Sequence, residues 1–120
     1  PRVVMAGAHV DIEDYEMFIT DFSSFVFDFA YLCRPVLYFV PDYGQFKAGM
    51  NHYRELDLPF EKAFGPLVLD PDGAVEEIKK AAENGFDPKP IYAERMSGFY
   101  YPLENCAEAL YNEVSSWDCL

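Results

Sequence analysis

Short β-branched or aromatic runs alternate along this chain with segments of helical period, the pattern of α/β layering. Arg2 to Ala6 reads as a weak strand. Glu16 to Thr20 is a stronger one, and it ends at the polar turn Thr20-Asp21-Phe22-Ser23-Ser24. Phe25 to Cys33 then has the length of a short helix and is apolar on nearly every side, with Asp28 as the exception, so it is expected to be largely buried. Pro35 to Val40 shows no polar alternation, which fits an interior parallel strand covered on both faces. Pro41 and Asp42 end it.

From Asp42 to Gly65 the chain turns polar and aromatic, with Gly44, Gly49 and Pro59 punctuating it, and Tyr43 to Glu55 reads as irregular to helical. Leu67 to Leu69 makes a fourth short strand. Asp70 next offers an N-cap and Pro71 a first helical residue, predicting a helix from Pro71 to Asn84 with Gly85 in the left-handed position past its end. Phe86 to Pro90 reads as a proline-punctuated linker. In the tail, Leu103, Cys106, Ala107, Leu110, Tyr111, Val114 and Trp117 share one stripe of a closing helix that needs something to pack on.

A chain of 120 residues fits one compact domain. No apolar run approaches the roughly 20 residues of a membrane span. With 9 Lys plus Arg against 21 Asp plus Glu, the net charge of −12 repels phosphate backbones, which excludes duplex nucleic acid as a partner of this chain by itself. Any phosphate must be held locally, by backbone N–H groups and short polar side chains. Cys33, Cys106 and Cys119 are too few and too scattered for a disulfide framework, and Cys33 is assigned to packing at a buried helix end. The chain opens on Pro1 with neither initiator Met nor secretory pattern, and is expected to be an excised or processed piece.

The candidate site is the turn after the second strand. Ligands of open α/β sheets bind beyond the carboxyl ends of strands, and serine hydroxyls beside a helix start are donors that need no net charge. The plainer alternative is that Ser23 caps the helix, Ser24 fills its first turn and Asp21 closes the turn. His9 and His52 lie far apart with no His-Glu-x-x-His pattern, so no metal site is expected. Lys47, His52 and Arg54 concentrate positive charge in the long loop, where they could meet an anionic substrate. Gly-x-Ser-x-Gly is absent, and no serine-hydrolase elbow is expected.

Phe18-Ile19-Thr20-Asp21-Phe22-Ser23-Ser24, running on through Phe25 to Leu32, followed by Arg34-Pro35-Val36-Leu37-Tyr38-Phe39-Val40-Pro41-Asp42, resembles the CDP-glycerol glycerophosphotransferase family of teichoic-acid polymerases, whose hallmark is Ile-Thr-Asp-Tyr-Ser-Ser-x-x-Phe-Asp. Leu58-Pro59 and Gly65-Pro66 extend the likeness, which covers about Phe18 to Lys80. Phe22 stands where the family has tyrosine, and Met50-Asn51-His52-Tyr53 where many members have Arg-Gly-Phe-Tyr. The resemblance implies a three-layer Rossmann-like parallel sheet, part of the C-terminal domain of a GT-B glycosyltransferase fold. Residues 1–87 would belong to the donor-binding domain, and 88–120 would be a helical segment packing back on it.

It further implies a transferase of teichoic acid biosynthesis for the cell wall, moving glycerol phosphate or a related polyol phosphate from a CDP-activated donor to a polymer acceptor. CDP-glycerol is then a substrate, and no cofactor is implied. Thr20, Asp21, Ser23 and Ser24 would line the pyrophosphate site, with His52, Tyr53 and Arg54 as loop contacts. The family's catalytic histidines lie upstream of this motif, so the catalytic base is left unassigned, His9 included, and the chain alone is expected to be inactive. The whole protein would be cytoplasmic, peripherally associated with the inner face of the cell membrane. The uncovered part of the closing stripe would favour self-association of the isolated chain. The rival reading is a non-catalytic α/β regulatory or partner-binding module that uses that stripe as its interface. It leaves the Thr-Asp-Phe-Ser-Ser turn without a task.

Overall fold

The computed structural model describes residues 3, 5, 7, 10–49, 56–100 and 105–117. In chain order these form β1 (Phe18–Thr20), α1 (Val26–Tyr31), β2 (Val36–Phe39), α2 (Tyr43–Lys47), β3 (Leu67–Val68), α3 (Pro71–Glu83), α4 (Pro90–Phe99) and α5 (Cys106–Ser116), with 3-10 turns at Ile12–Asp14 and Phe60–Lys62. The three strands make one sheet in the order β1-β2-β3, both pairs parallel. Phe18 lies opposite Val36, Thr20 opposite Tyr38, and Tyr38 opposite Leu67. The chain is an α/β protein.

β2 is the central strand, and its unbroken apolar run has the reason expected of it. Val36, Tyr38 and Val40 enter the main cluster with Val26, Phe29, Phe60, Phe64 and Met96, while Leu37, which alternation turns to the other face, is also fully buried. Phe18 of β1 stacks on Phe29 of α1 with ring centroids 4.6 Å apart, which lays the helix against the strand that precedes it. At the opposite end, Arg34 donates to Glu16 at 2.7 Å and ties together the residues leading into β2 and β1.

α3 follows its sequence signals closely. Asp70 Oδ1 accepts from the Gly73 N–H at 2.8 Å, Pro71 takes the first helical position, and Lys80 pairs with Glu76 at 2.8 Å. The helix is closed by Gly85 and Phe86, both with positive φ, whose N–H groups bond back to Ala82 and Ala81.

Several expectations are corrected. Of the first proposed strand the structure describes Val3 and Met5, which lie in no strand and are almost fully exposed. The apolar helix is shorter than expected and buries one face only: Val26, Phe29 and Ala30 are inside, whereas Tyr31 and Asp28 are exposed. Cys33 is not a buried packing residue; it is exposed, in a left-handed conformation (φ 53°) that turns the chain from α1 towards β2. The sequence pattern missed α4 altogether. It starts on Pro90, the last residue of the expected linker, and it docks by burying Met96, stacking Phe99 on Phe27 at 5.3 Å, and donating from Arg95 to the Ala63 carbonyl at 2.8 Å.

α5 forms where the closing stripe predicted a helix, although Leu103 lies outside the described residues. It carries no buried residue. Leu110, Tyr111 and Trp117 are 65%, 71% and 59% exposed, so within the segment 88–120 it is α4 that packs on the sheet unit. No helix among the described residues is long and apolar enough to cross a membrane.

Candidate functional site

The turn of Thr20, Asp21, Ser23 and Ser24 stands at the carboxyl end of β1, between the sheet and α1. Thr20 is its buried anchor, paired in register with Tyr38. Asp21 folds onto the turn itself, its Oδ1 accepting from the Phe22 N–H at 2.6 Å. The Ser23 hydroxyl accepts from the Phe25 N–H at 3.2 Å, and the Ser23 and Ser24 carbonyls accept the first N–H groups of the helix, from Val26 and Phe27. The plain structural role therefore holds for Asp21 and Ser23. The Ser24 backbone likewise fills the turn that opens the helix, while its exposed hydroxyl enters no hydrogen bond among the described residues.

This turn opens on a cleft of about 200 Å³. Asp21, Ser23 and Ser24 supply its polar rim on one side, Phe27 of α1 and Tyr38 of β2 continue the lining, and Leu56, Asp57, Leu58 and Phe60 complete it from the loop before β3. Burial pushes the Tyr38 hydroxyl up from its ordinary pKa, against the opposing pull of a hydrogen bond with the Phe64 backbone. Tyr38 therefore stays neutral and keeps a proton to donate. No Lys or Arg is among the described lining residues, which offer an anion hydroxyl and backbone donors.

Sequence reasoning missed the second half of this lining. The signals that could have found it are Tyr38, the one hydroxyl in an otherwise apolar run, and Asp57, a single carboxylate between Leu56 and Leu58. His52, Tyr53 and Arg54 lie outside the described residues. A neighbouring depression carries Tyr43, Phe46 and Lys47, whose ammonium sits 5.1 Å from the Tyr43 ring centre. A larger cavity, about 290 Å³, lies at the other end of the strands against Pro35 and Pro66, remote from the turn. Among the described residues no three His, Cys, Asp or Glu side chains gather as metal ligands would.

The fold is a parallel α/β sheet whose first strand ends in a hydroxyl-bearing turn, with a cleft beyond that end, where open sheets of this class commonly place their ligands. A family model described as CDP-glycerol:poly(glycerophosphate) glycerophosphotransferase matches residues 3–115, and the chain belongs to that family. A teichoic acid poly(glycerol phosphate) polymerase of Bacillus subtilis is 44% identical over 79 residues, covering 62% of this chain and 10% of that protein. Another, of Bacillus spizizenii, is 35% identical over 97 residues, covering 77% of this chain and 22% of that protein. The minor teichoic acid biosynthesis protein GgaB of Bacillus subtilis is 28% identical over 102 residues, covering 83% and 11%. The chain thus spans between about a tenth and a fifth of the length of these curated relatives. No solved structure matches it.

Proposed function

We propose that this chain is the nucleotide-donor part of a glycerophosphotransferase, holding the pyrophosphate of a CDP-activated polyol at Thr20, Asp21, Ser23 and Ser24. The observation that carries this reading is Ser24: an exposed hydroxyl that enters no hydrogen bond among the described residues, on the rim of the cleft beyond β1, in the turn that bears the family's hallmark. Because α1 has only six residues, the turn's own hydroxyl and N–H donors carry the recognition, and the helix dipole adds little. The sheet would belong to a Rossmann-like domain of a GT-B fold, with residues 1–87 in the donor-binding part and 88–120 as its helical continuation.

In the reaction, an acceptor hydroxyl oxygen attacks the phosphorus that carries the glycerol. A new P–O bond forms, the bond to the CMP phosphate breaks, and the hydroxyl proton passes to a base supplied by another part of the polypeptide. This chain's residues hold the donor in line and stabilise the charge that grows on the departing phosphate. The acceptor would be a teichoic-acid-like polymer, and the complete protein would work from the cytoplasmic face of the membrane.

The test is transfer from CDP-glycerol to polymer by the complete gene product. Wild type is expected to incorporate glycerol phosphate and the Ser23→Ala/Ser24→Ala variant to lose most of that activity. A double variant with wild-type turnover would overturn the assignment of the turn.

A further inference from the structure

The cleft beside the serine turn is smaller than the roughly 300–1,000 Å³ that encloses a whole ligand, so its about 200 Å³ takes one moiety of a nucleotide donor. Its composition decides which moiety. Phe27, Leu56, Leu58 and Phe60 present apolar surface, which suits a flat heteroaromatic ring and would desolvate the hydroxyls of a polyol without replacing their partners. Among these walls stands one carboxylate from the loop, Asp57. It is exposed at the cleft, and none of the hydrogen bonds or ion pairs within the described residues uses it. An exposed carboxylate at this cleft, unused within the described residues, is positioned to accept from a donor on the ligand.

We infer that the cleft takes the pyrimidine base of the donor nucleotide and that Asp57 selects cytosine over uracil. Cytosine presents an exocyclic amine where uracil presents a carbonyl oxygen: the carboxylate accepts from the first and repels the second. This inference rests on the donor reading above, and it concerns a different part of the ligand from the one the serines hold.

Calorimetry of CDP and UDP with the complete gene product separates the two. Wild type is expected to bind CDP at least about tenfold tighter than UDP, the discrimination one well-placed base contact gives. In Asp57→Asn, whose amide can present either an oxygen or an N–H group, the ratio should fall to within about threefold while circular dichroism stays unchanged. Asp57→Ala should give the same collapse, and since Asp57 is exposed and in no hydrogen bond or ion pair among the described residues, both variants are expected to fold. If CDP binding depends on Ser23 and Ser24 but the CDP-to-UDP ratio survives in both Asp57 variants, this inference fails and the donor site stands. If CDP binding is indifferent to the serines as well, the donor reading fails with it.

Discussion

Gly65 shows how a single residue can be dictated by backbone approach. A Cβ added there would lie 1.8 Å from the Val36 carbonyl oxygen and 2.6 Å from its carbon, a clash with the central strand that no side-chain movement relieves. Gly65→Ala is therefore expected to destabilise the protein by about 3 kcal/mol or more, read as a lowered denaturation midpoint. A neutral substitution would mean that the Gly-Pro pair is not pressed against β2. Glu77 gives a second residue-scale test. It bonds Lys80 at 2.9 Å and Lys89 at 3.1 Å, joining α3 to the residue that precedes α4. The Lys80 hydrogen bond holds the Glu77 carboxyl below its ordinary 4.5, with burial opposing and Lys89 assisting. Glu76 first and Glu77 second push Lys80 up to about 12. A depressed carboxyl stabilises above its unfolded pKa and loses that contribution as pH falls through the folded value. A raised lysine stabilises below 10.5 and loses its contribution as pH rises through about 12. The stability difference between wild type and Glu77→Gln should thus be present at neutral pH and be lost on acidification, as pH falls from 4.5 through the depressed Glu77 value. A difference that persists in acid would assign Glu77's role to packing.

Among the elements, those written in local chemistry were the ones the sequence disclosed. The cap at Asp70-Pro71, the left-handed closure at Gly85 and the unbroken apolar run of β2 each depend on a few neighbouring residues, and each appears in the structure near its expected bounds. α4 was not legible. Its docking depends on Met96, Phe99 and Arg95 meeting Phe27, Phe64 and Ala63 from distant parts of the chain, and Gly98 and Ser97 weaken its local helical signal. The extent of α1 was overestimated for a related reason. Its apolar composition suggested burial all round, but the sheet and α4 cover one face, and Cys33 has to turn outward for the chain to reach β2. Because α4 closes the cluster, Met96→Ala is expected to cost about 2–5 kcal/mol and to release α4 before the sheet melts. Hydrogen exchange would show this as lost protection confined at first to Pro90–Phe99; uniform loss across the sheet would contradict it.

At the scale of the molecule, the same division between local and distant determinants governs the site. The turn from Thr20 to Ser24 is contiguous and was visible as a motif, whereas the loop side of the cleft, Asp57 with its flanking leucines, joins it only through the path of the chain from α2 to β3. With a net charge of −12 and no cation among the described lining residues, the donors this side of the cleft offers to the proposed pyrophosphate are neutral, which makes individual hydroxyls count. The described residues of α5 leave its apolar face exposed, and the chain spans between about a tenth and a fifth of its curated relatives; under the proposed function the acceptor and proton chemistry would lie elsewhere in the polypeptide. The most direct measurement of this account is the calorimetric affinity of the complete gene product for CDP. Wild type should bind, and Ser23→Ala/Ser24→Ala should weaken binding by on the order of 1 to 3 kcal/mol with the fold intact, the loss of hydrogen bonds to a charged group. Unchanged CDP affinity in a folded double variant would contradict it.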